Sequence, residues 1–135
     1  MSSLPAISVN LEALKASAKG YAVISVPGES DRQSLLHPEG IQLIWVVDSE
    51  TTQPSSALTE KIRSLEWLKG VPYPWFAGEF EGMRDMRRFF RDEMKIDREN
   101  MCLSCDWKTG TSDEGVKKAK VLDALLDLKN AAAAF

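Results

Sequence analysis

The sequence is poor in the residue types that most often carry metal or redox chemistry, with two cysteines and one histidine among its 135 residues. Two cysteines are too few for a disulfide scaffold, which fits a reducing compartment. A zinc site would need two further ligands, and His37 lies far from both cysteines in the sequence. These absences predict a protein without a metal centre.

Long apolar runs and an excess of positive charge are also missing. No apolar stretch approaches the roughly 20 residues that span a bilayer, and the first residues lack the charged-then-apolar order of a secretory signal. Lys and Arg number 17 against 20 Asp and Glu, so no cationic surplus exists to neutralise phosphates. We therefore expect a cytoplasmic protein that binds neither membrane nor nucleic acid.

The dinucleotide fingerprint G-x-G-x-x-G is absent as well, so ordinary dinucleotide recognition by a glycine-rich turn has no motif support. Hydrophobic residues make up 44% of the sequence and charged residues 27%, which is typical of a globular protein. The chain is long enough for one proper core and too short for two comfortable domains. Residues 1–135 are therefore predicted to form a single domain.

What the sequence does contain is organised around residues 73–110. An apolar run over residues 73–77 stops at a Gly-Glu pair, and a segment of helical periodicity follows over residues 83–94. A second apolar run covers residues 101–105. This order of strand, helix and strand predicts two parallel strands, and ligands of open α/β sheets bind beyond the carboxyl ends of such strands.

Two clusters at these strand ends form the predicted site. They are Ala77, Gly78 and Glu79 after the first strand, and Trp107, Lys108, Thr109 and Gly110 after the second. Gly78 would let a backbone or a ligand approach closely, and Glu79 would lie at a helix N-terminus, where the dipole favours its charge. The first cluster is equally consistent with a tight turn closed by a capping carboxylate.

The helix between the two strands combines an apolar face with a basic edge. That edge consists of Arg84, Arg88, Arg91 and Lys95. A partner protein could bind it, but Asp92 follows Arg88 by four residues, which favours a solvated face with ion pairs along the helix.

Cys102 and Cys105 have C-x-x-C spacing within the second strand. Side chains three positions apart in a strand point to opposite faces, which prevents both from holding one metal ion. Redox motifs of this spacing place the first cysteine at a helix N-terminus, and none is predicted here. We therefore predict two buried, inert thiols.

The remaining elements complete an alternating pattern. Strands are predicted over residues 21–26 and 41–47, and helices over about residues 4–17, 54–68 and 112–129. The last helix, capped by Thr111 or Ser112, has an apolar face formed by Val116, Ala119, Val121, Leu122, Leu125, Leu126 and Leu128. Four strands alternating with helices predict an α/β fold with a mostly parallel sheet of about four strands and helices on both faces.

Glu29, Asp31 and Arg32 lie just beyond the first of these strands. In nucleotide-binding sheets, a carboxylate in this position favours the ribose hydroxyl of NAD, whereas Arg favours the extra phosphate of NADP. Both residue types are present, so the sequence leaves the choice between NAD and NADP open. A solvated polar loop is the alternative interpretation.

The same residues carry a resemblance to a known family. Tyr73, Pro74, Trp75 and Phe76 followed by Ala-Gly-Glu, then the Arg87-Arg88 helix, then Trp107-Lys108-x-Gly110, resemble the C-terminal half of the siderophore-interacting proteins. These are flavin-dependent ferric-siderophore reductases that use NAD(P)H. Asp106 departs from the pattern, because an aromatic residue is expected before the tryptophan.

The resemblance implies a ferredoxin-reductase-like NAD(P)-binding domain that lacks the family's N-terminal flavin barrel and the first strand of the domain. NADPH or NADH is the implied cofactor of this chain, FAD that of the missing barrel, and a ferric siderophore the substrate. Ala77, Gly78 and Glu79 would face the nicotinamide, Glu29, Arg32 and Trp107 would also contact cofactor, and Lys108 and Gly110 would lie on the siderophore side.

Two further expectations follow from the resemblance. Only three residues precede the first helix here, so the remaining strands must pair differently or take a strand from another molecule, for example in a homodimer through an exposed edge. A separate flavin-binding domain is a possible partner. A non-catalytic α/β domain that acts through the basic edge or an open sheet edge is the alternative function.

Overall fold

Two pairs of parallel strands and four helices make up the described part of the fold. The computed structural model describes residues 4–48, 56–108 and 110–133. In chain order the elements are α1 (Leu4–Ala13), β1 (Gly20–Val26), β2 (Ile41–Val47), α2 (Ser56–Arg63), β3 (Trp75–Glu79), α3 (Phe80–Arg88), β4 (Cys102–Trp107) and α4 (Asp113–Ala133). A π-helical turn, Phe89–Glu93, continues α3, and single 3-10 turns cover Glu29–Asp31 and Arg98–Asn100.

The strands pair in parallel, which confirms the predicted α/β class. β1 pairs with β2 over its full length, from Gly20 opposite Ile41 to Val26 opposite Val47. β3 pairs with β4, and an irregularity at the end of β3 brings Glu79 opposite Trp107. In the described part of the chain, each strand has one neighbour, so the sheet consists of two separate pairs.

The segment after α2 returns to the start of β1. After β2, helix α2 packs on β1 and β2. The Tyr21 hydroxyl, near the start of β1, donates a 2.6 Å hydrogen bond to the carbonyl oxygen of Glu66, which follows α2. This hydrogen bond brings the segment that follows α2 back to the start of β1.

Most of the buried apolar residues that the structure describes form two clusters rather than one. Leu4 of α1 packs with Ile24 and Val26 of β1. The larger cluster joins β3, α3, β4 and α4 around Met86, which is fully buried. Trp67 packs on this cluster, with its ring centroid about 6 Å from those of Phe89 and Phe90.

Several predicted boundaries were wrong. α1 ends at Ala13 rather than near residue 17, and α2 ends at Arg63 rather than at residue 68. The α2 end has a local cause, because the Ser64 hydroxyl donates to the Lys61 carbonyl oxygen at 2.7 Å and competes with the helix. β3 includes Gly78 and Glu79, which were predicted to stop it, because pairing with β4 continues there.

Helix α4 turns a different face to the core than its apolar pattern predicted. Val116 is buried and Ala119 packs on the larger cluster, but four large residues of the predicted face are exposed. These are Val121, Leu122, Leu125 and Leu126. Asp123 is buried against α3, so a charged pair determines which side of α4 faces inward. The predicted cap is confirmed, since the Ser112 hydroxyl accepts from the Gly115 amide at 3.3 Å.

Candidate functional site

Glu79 joins the end of β3 to the start of α3. Its side chain is 5% exposed, and Oε2 accepts hydrogen bonds from the amides of Glu81 at 2.7 Å and Gly82 at 3.2 Å. The predicted position at a helix N-terminus is therefore confirmed, and the carboxylate also acts as the cap of that helix. Capping fixes the orientation of the carboxylate and occupies the first amides of α3.

Lys108 lies at the same edge as Glu79. Glu79 is opposite Trp107 in the strand pair, and Lys108 follows directly. The Lys108 ammonium lies 4.7 Å from the centroid of the Phe80 ring, which is within the range of a cation–π interaction. The ends of β3 and β4 therefore hold an anion and a cation within one neighbourhood.

Ala77 and Gly78 directly precede Glu79 at the carboxyl end of β3. Ala77 is half-buried and Gly78 is buried. A Cβ atom at position 78 would come within 3.1 Å of the Phe76 ring, so the missing side chain makes room for that ring. The close approach predicted at Gly78 thus occurs within the chain itself.

Glu29 and Arg32 lie beyond β1 and bind each other. Arg32 Nε is 2.8 Å from Glu29 Oε2, and both side chains are well exposed. They follow β1, whereas Glu79 ends β3, so the two groups of predicted site residues belong to different strand pairs. A phosphate at Arg32 would have to compete with Glu29 for the guanidinium.

The other predicted residues follow β4. Trp107 is the last residue of β4, and its side chain lies outside what the structure describes, as does Thr109. Gly110 is exposed, has a φ of 72° and has open space where a Cβ would lie. The glycine therefore serves the backbone turn that leads towards α4.

Asp48 was not predicted as a site residue. It follows β2 directly, and its amide donates to the Val26 carbonyl oxygen at 2.9 Å, which extends the strand pair. Its Oδ2 atom is buried and has no hydrogen-bond partner within the described ranges. The sequence did contain a signal for Asp48, namely a carboxylate directly after a buried parallel strand. The same signal identified Glu79 as a candidate site residue.

Two of the four cations of the basic edge of α3 are paired within the fold. Arg84 and Arg91 of that edge pair with α4, at 3.2 Å to Asp123 and 2.6 Å to Asp127. Arg87 binds Asp123 with both terminal nitrogens, at 2.8 and 2.9 Å. Ion pairs therefore dominate this edge, as favoured from the sequence, but most cross to α4.

Two details of the basic edge differ from the prediction. Asp92 bonds to Arg91 at 3.0 Å rather than to Arg88. Arg88 and Lys95 are exposed. The surface that remains for a partner is therefore smaller than the sequence pattern indicated.

The two cysteines differ in environment. Cys102 is exposed and Cys105 is buried, so the prediction of two buried thiols was wrong for Cys102. The two side chains point to opposite faces of the sheet, as expected for positions three apart in a strand. Burial raises the pKa of the Cys105 thiol, which lowers its reactivity. Within residues 4–48, 56–108 and 110–133, no three potential metal ligands come together.

The described helices include none that is both long and apolar enough to cross a bilayer. The longest, α4, has 21 residues but carries charges along its length.

Comparison with known proteins gives consistent matches. A family model described as Siderophore-interacting protein matches residues 1–110. The chain is 32% identical over 117 residues to the ferric vibriobactin reductase ViuB of Vibrio cholerae, covering 84% of the chain and 42% of that relative. It is 30% identical over 129 residues to the uncharacterized protein Rv2895c of Mycobacterium tuberculosis, covering 88% of the chain and 46% of that relative.

A solved structure shares the fold. The siderophore-interacting protein SipS from Aeromonas hydrophila superposes with a TM-score of 0.78 at 32% identity, over 90% of this chain and 49% of that one. This likeness confirms the predicted fold class. The chain spans about half the length of the relatives that it matches.

Proposed function

Because this chain belongs to the siderophore-interacting protein family, we propose that it is the nicotinamide-nucleotide module of a ferric-siderophore reductase. NADPH or NADH would bind at the carboxyl ends of β1 and β3. One observation carries the proposal: the buried Glu79 and the Lys108 ammonium lie together where β3 and β4 end. This end of the strands is called the rim. Ligands of open α/β sheets bind at such rims.

Different residues at the rim fit different parts of a nicotinamide nucleotide. The first amides of α3 are occupied by Glu79, so this end suits a neutral ring with polar substituents better than a phosphate. Arg32, beyond β1, offers the cation for a phosphate, and the buried Oδ2 of Asp48 can accept from a ribose hydroxyl. When bound, the nucleotide supplies a hydride.

The residues of this chain would orient the nicotinamide ring and attract the siderophore, and they would not take part in the hydride transfer themselves. Glu79 is held by two amide bonds, so it presents its carboxylate in one orientation and can fix the ring that lies against residues 77–78. Lys108, held over Phe80, would attract an anionic ferric siderophore to the rim. FAD would be bound by a separate flavin-binding domain, which we propose as a partner.

The alternative function, a non-catalytic interaction domain, gains little from the basic edge. Arg84 and Arg91 are already paired with aspartates of α4. Within the described residues, β1 and β3 each keep one sheet edge without a partner strand.

A nucleotide titration tests the proposal. Adding NADPH and NADH to the purified chain should quench tryptophan fluorescence saturably, because Trp107 ends β4 opposite Glu79. Glu79→Gln, which keeps the volume but removes the charge, should weaken binding at least tenfold, or about 1.4 kcal/mol.

The matched control is Glu99→Gln. Glu99 is an exposed carboxylate in the turn before β4, at the amino edge. Its replacement should leave the affinity unchanged. No saturable change with either nucleotide, or equal affinity of Glu79→Gln and the unmodified chain, would contradict the proposal, provided that circular dichroism shows both variants folded.

A further inference from the structure

The turn that follows β1 contains an ion pair that bears on the choice between NADH and NADPH. Glu29 opens the 3-10 turn Glu29–Asp31, and Arg32 follows that turn directly. Arg32 Nη2 donates to Glu29 Oε1 at 2.9 Å, and Arg32 Nε lies 2.8 Å from Glu29 Oε2. The guanidinium therefore contacts both oxygens of the carboxylate, and this two-point contact fixes the orientation of the carboxylate.

The closed pair leaves hydrogen-bonding capacity on Glu29. A carboxylate offers about four lone-pair sites, and the two contacts with Arg32 occupy two of them. The sites that remain suit the two neighbouring hydroxyls of an adenosine ribose, because both hydroxyls can donate. In NADPH one of these hydroxyls is replaced by a phosphate, which has the same sign of charge as the carboxylate.

Two further carboxylates make this end of the strand pair negative. The Oδ2 atom of Asp31 would lie 3.4 Å from a Cβ atom at position 28, so this side chain folds back over Gly28. Asp48 follows β2 at the same end of the pair, and its buried Oδ2 atom has no hydrogen-bond partner within the described ranges. Among these residues, three carboxylates outnumber the single guanidinium of Arg32, which favours a hydroxyl donor over an additional phosphate.

The ion pair is nevertheless exposed enough to open. The side chain of Arg32 is 44% exposed and that of Glu29 is 70% exposed. Exposed ion pairs contribute little to stability, because water solvates both partners once they separate. A phosphate can therefore draw Arg32 away from Glu29 at a small cost, and the carboxylate that is left behind then repels the phosphate.

We propose that the Glu29–Arg32 pair determines the selectivity between the two nicotinamide nucleotides and that the closed pair favours NADH. This inference rests on the proposed function, since it assigns roles within the same nucleotide site. Glu29 is the specificity-determining residue and accepts hydrogen bonds from the adenosine ribose. Arg32 is a positioning residue that orients Glu29 for NADH and has to leave it in order to bind the 2′-phosphate of NADPH. A dinucleotide has a second ribose, for which Asp48 remains available.

Parallel titrations of the purified chain with NADH and NADPH test the inference. The readout is the ratio of the two dissociation constants, because a general loss of affinity would change both constants alike. We expect NADH to bind roughly fivefold more tightly than NADPH, since NADPH has to break the exposed pair and tolerate the repulsion from Glu29.

Two substitutions should shift this ratio in opposite directions. Glu29→Gln releases Arg32 for the phosphate and removes the repelling charge, so the ratio should move about tenfold towards NADPH and reverse the preference. Arg32→Gln removes the cation and keeps the carboxylate, so the ratio should move roughly threefold further towards NADH. Both residues are exposed, and circular dichroism verifies that each variant is folded. If Glu29→Gln does not fold, the direction of the shift in Arg32→Gln decides.

Glu114→Gln is the matched control. Glu114 pairs with Lys118 at 3.7 Å on the exposed side of α4, so its replacement also removes one carboxylate from an exposed ion pair. The net charge of the chain changes by the same amount as in Glu29→Gln. The ratio of the two dissociation constants should stay as it is in the unmodified chain.

Several outcomes overturn the inference while the proposed function stands. These are an unchanged ratio in Glu29→Gln, an equal shift in Glu114→Gln, and a preference of the unmodified chain for NADPH. In each case the nucleotides still bind, but the Glu29–Arg32 pair does not select between them as proposed. The absence of saturable binding for both nucleotides would overturn the proposed function, and this inference with it.

Discussion

Replacing Met86 by alanine should lower the free energy of unfolding by about 3 kcal/mol. Met86 is 0% exposed and belongs to the cluster that joins β3, α3, β4 and α4. Truncation there removes apolar contacts and leaves a cavity that the rest of the cluster cannot fill without shifting. Urea denaturation followed by circular dichroism measures the change.

The matched control is Leu125→Ala on α4. Leu125 belongs to the predicted apolar face of that helix, but it is 54% exposed. Its truncation should change the free energy of unfolding by no more than about 0.5 kcal/mol. Losses of similar size at both positions would mean that α4 packs through the face its sequence pattern indicates, contrary to the structure.

Replacing Asp123 by alanine should cost about 2 kcal/mol of stability. Asp123 is 9% exposed, accepts two hydrogen bonds from Arg87 and lies 3.2 Å from Arg84. Its removal leaves both guanidinium groups between α3 and α4 without this counter-charge. The partial exposure of the arginines keeps the loss below that of a fully buried pair.

The same carboxylate should give this loss a characteristic pH dependence. The hydrogen bond from Arg87 lowers the pKa of Asp123, with burial acting in the opposite direction. A lowered folded-state pKa stabilises the protein above the unfolded value of about 3.9, and this stabilisation is lost as the pH falls through the folded pKa. The stability difference between the unmodified chain and Asp123→Ala should therefore be constant near neutrality and shrink below about pH 4.

Glu114→Gln serves as the control for the Asp123 experiment. Glu114 pairs with Lys118 at 3.7 Å on the exposed side of the same helix, and both side chains are about 80% exposed. Exposed pairs of this kind contribute little, so stability should change by less than about 0.5 kcal/mol. An equal effect of the two substitutions would show that α4 is not anchored through Asp123.

The fold class could be predicted because strand patterns are local. Residues 41–47 are apolar at almost every position, and β2 has these bounds. The orientation of α4 could not be predicted, since Val121 and Leu125 fit an apolar face as well as Val116 does. The deciding contact, Asp123 with Arg87, links residues 36 positions apart.

The candidate site was predictable in part. Parallel strands place their carboxyl ends together, so Glu79 and Lys108 could be expected at one rim from their spacing alone. The role of Gly78 was not accessible, because the Phe76 ring folds over it through a side-chain conformation that no pattern encodes. The separation of the described strands into two pairs could not be predicted, because the sequence pattern identifies strands but not which strands are neighbours.

Amide chemical-shift mapping with NADPH tests the central claim most directly. We expect saturable shifts at residues 77–79, at residues 107–110 and at residues 28–32, because these segments end or follow β3, β4 and β1. Residues 98–101, at the amino edge, should not shift. Saturable shifts confined to the amino edge or to α4, or the absence of any saturable shift, would contradict the proposal that this rim holds the nucleotide.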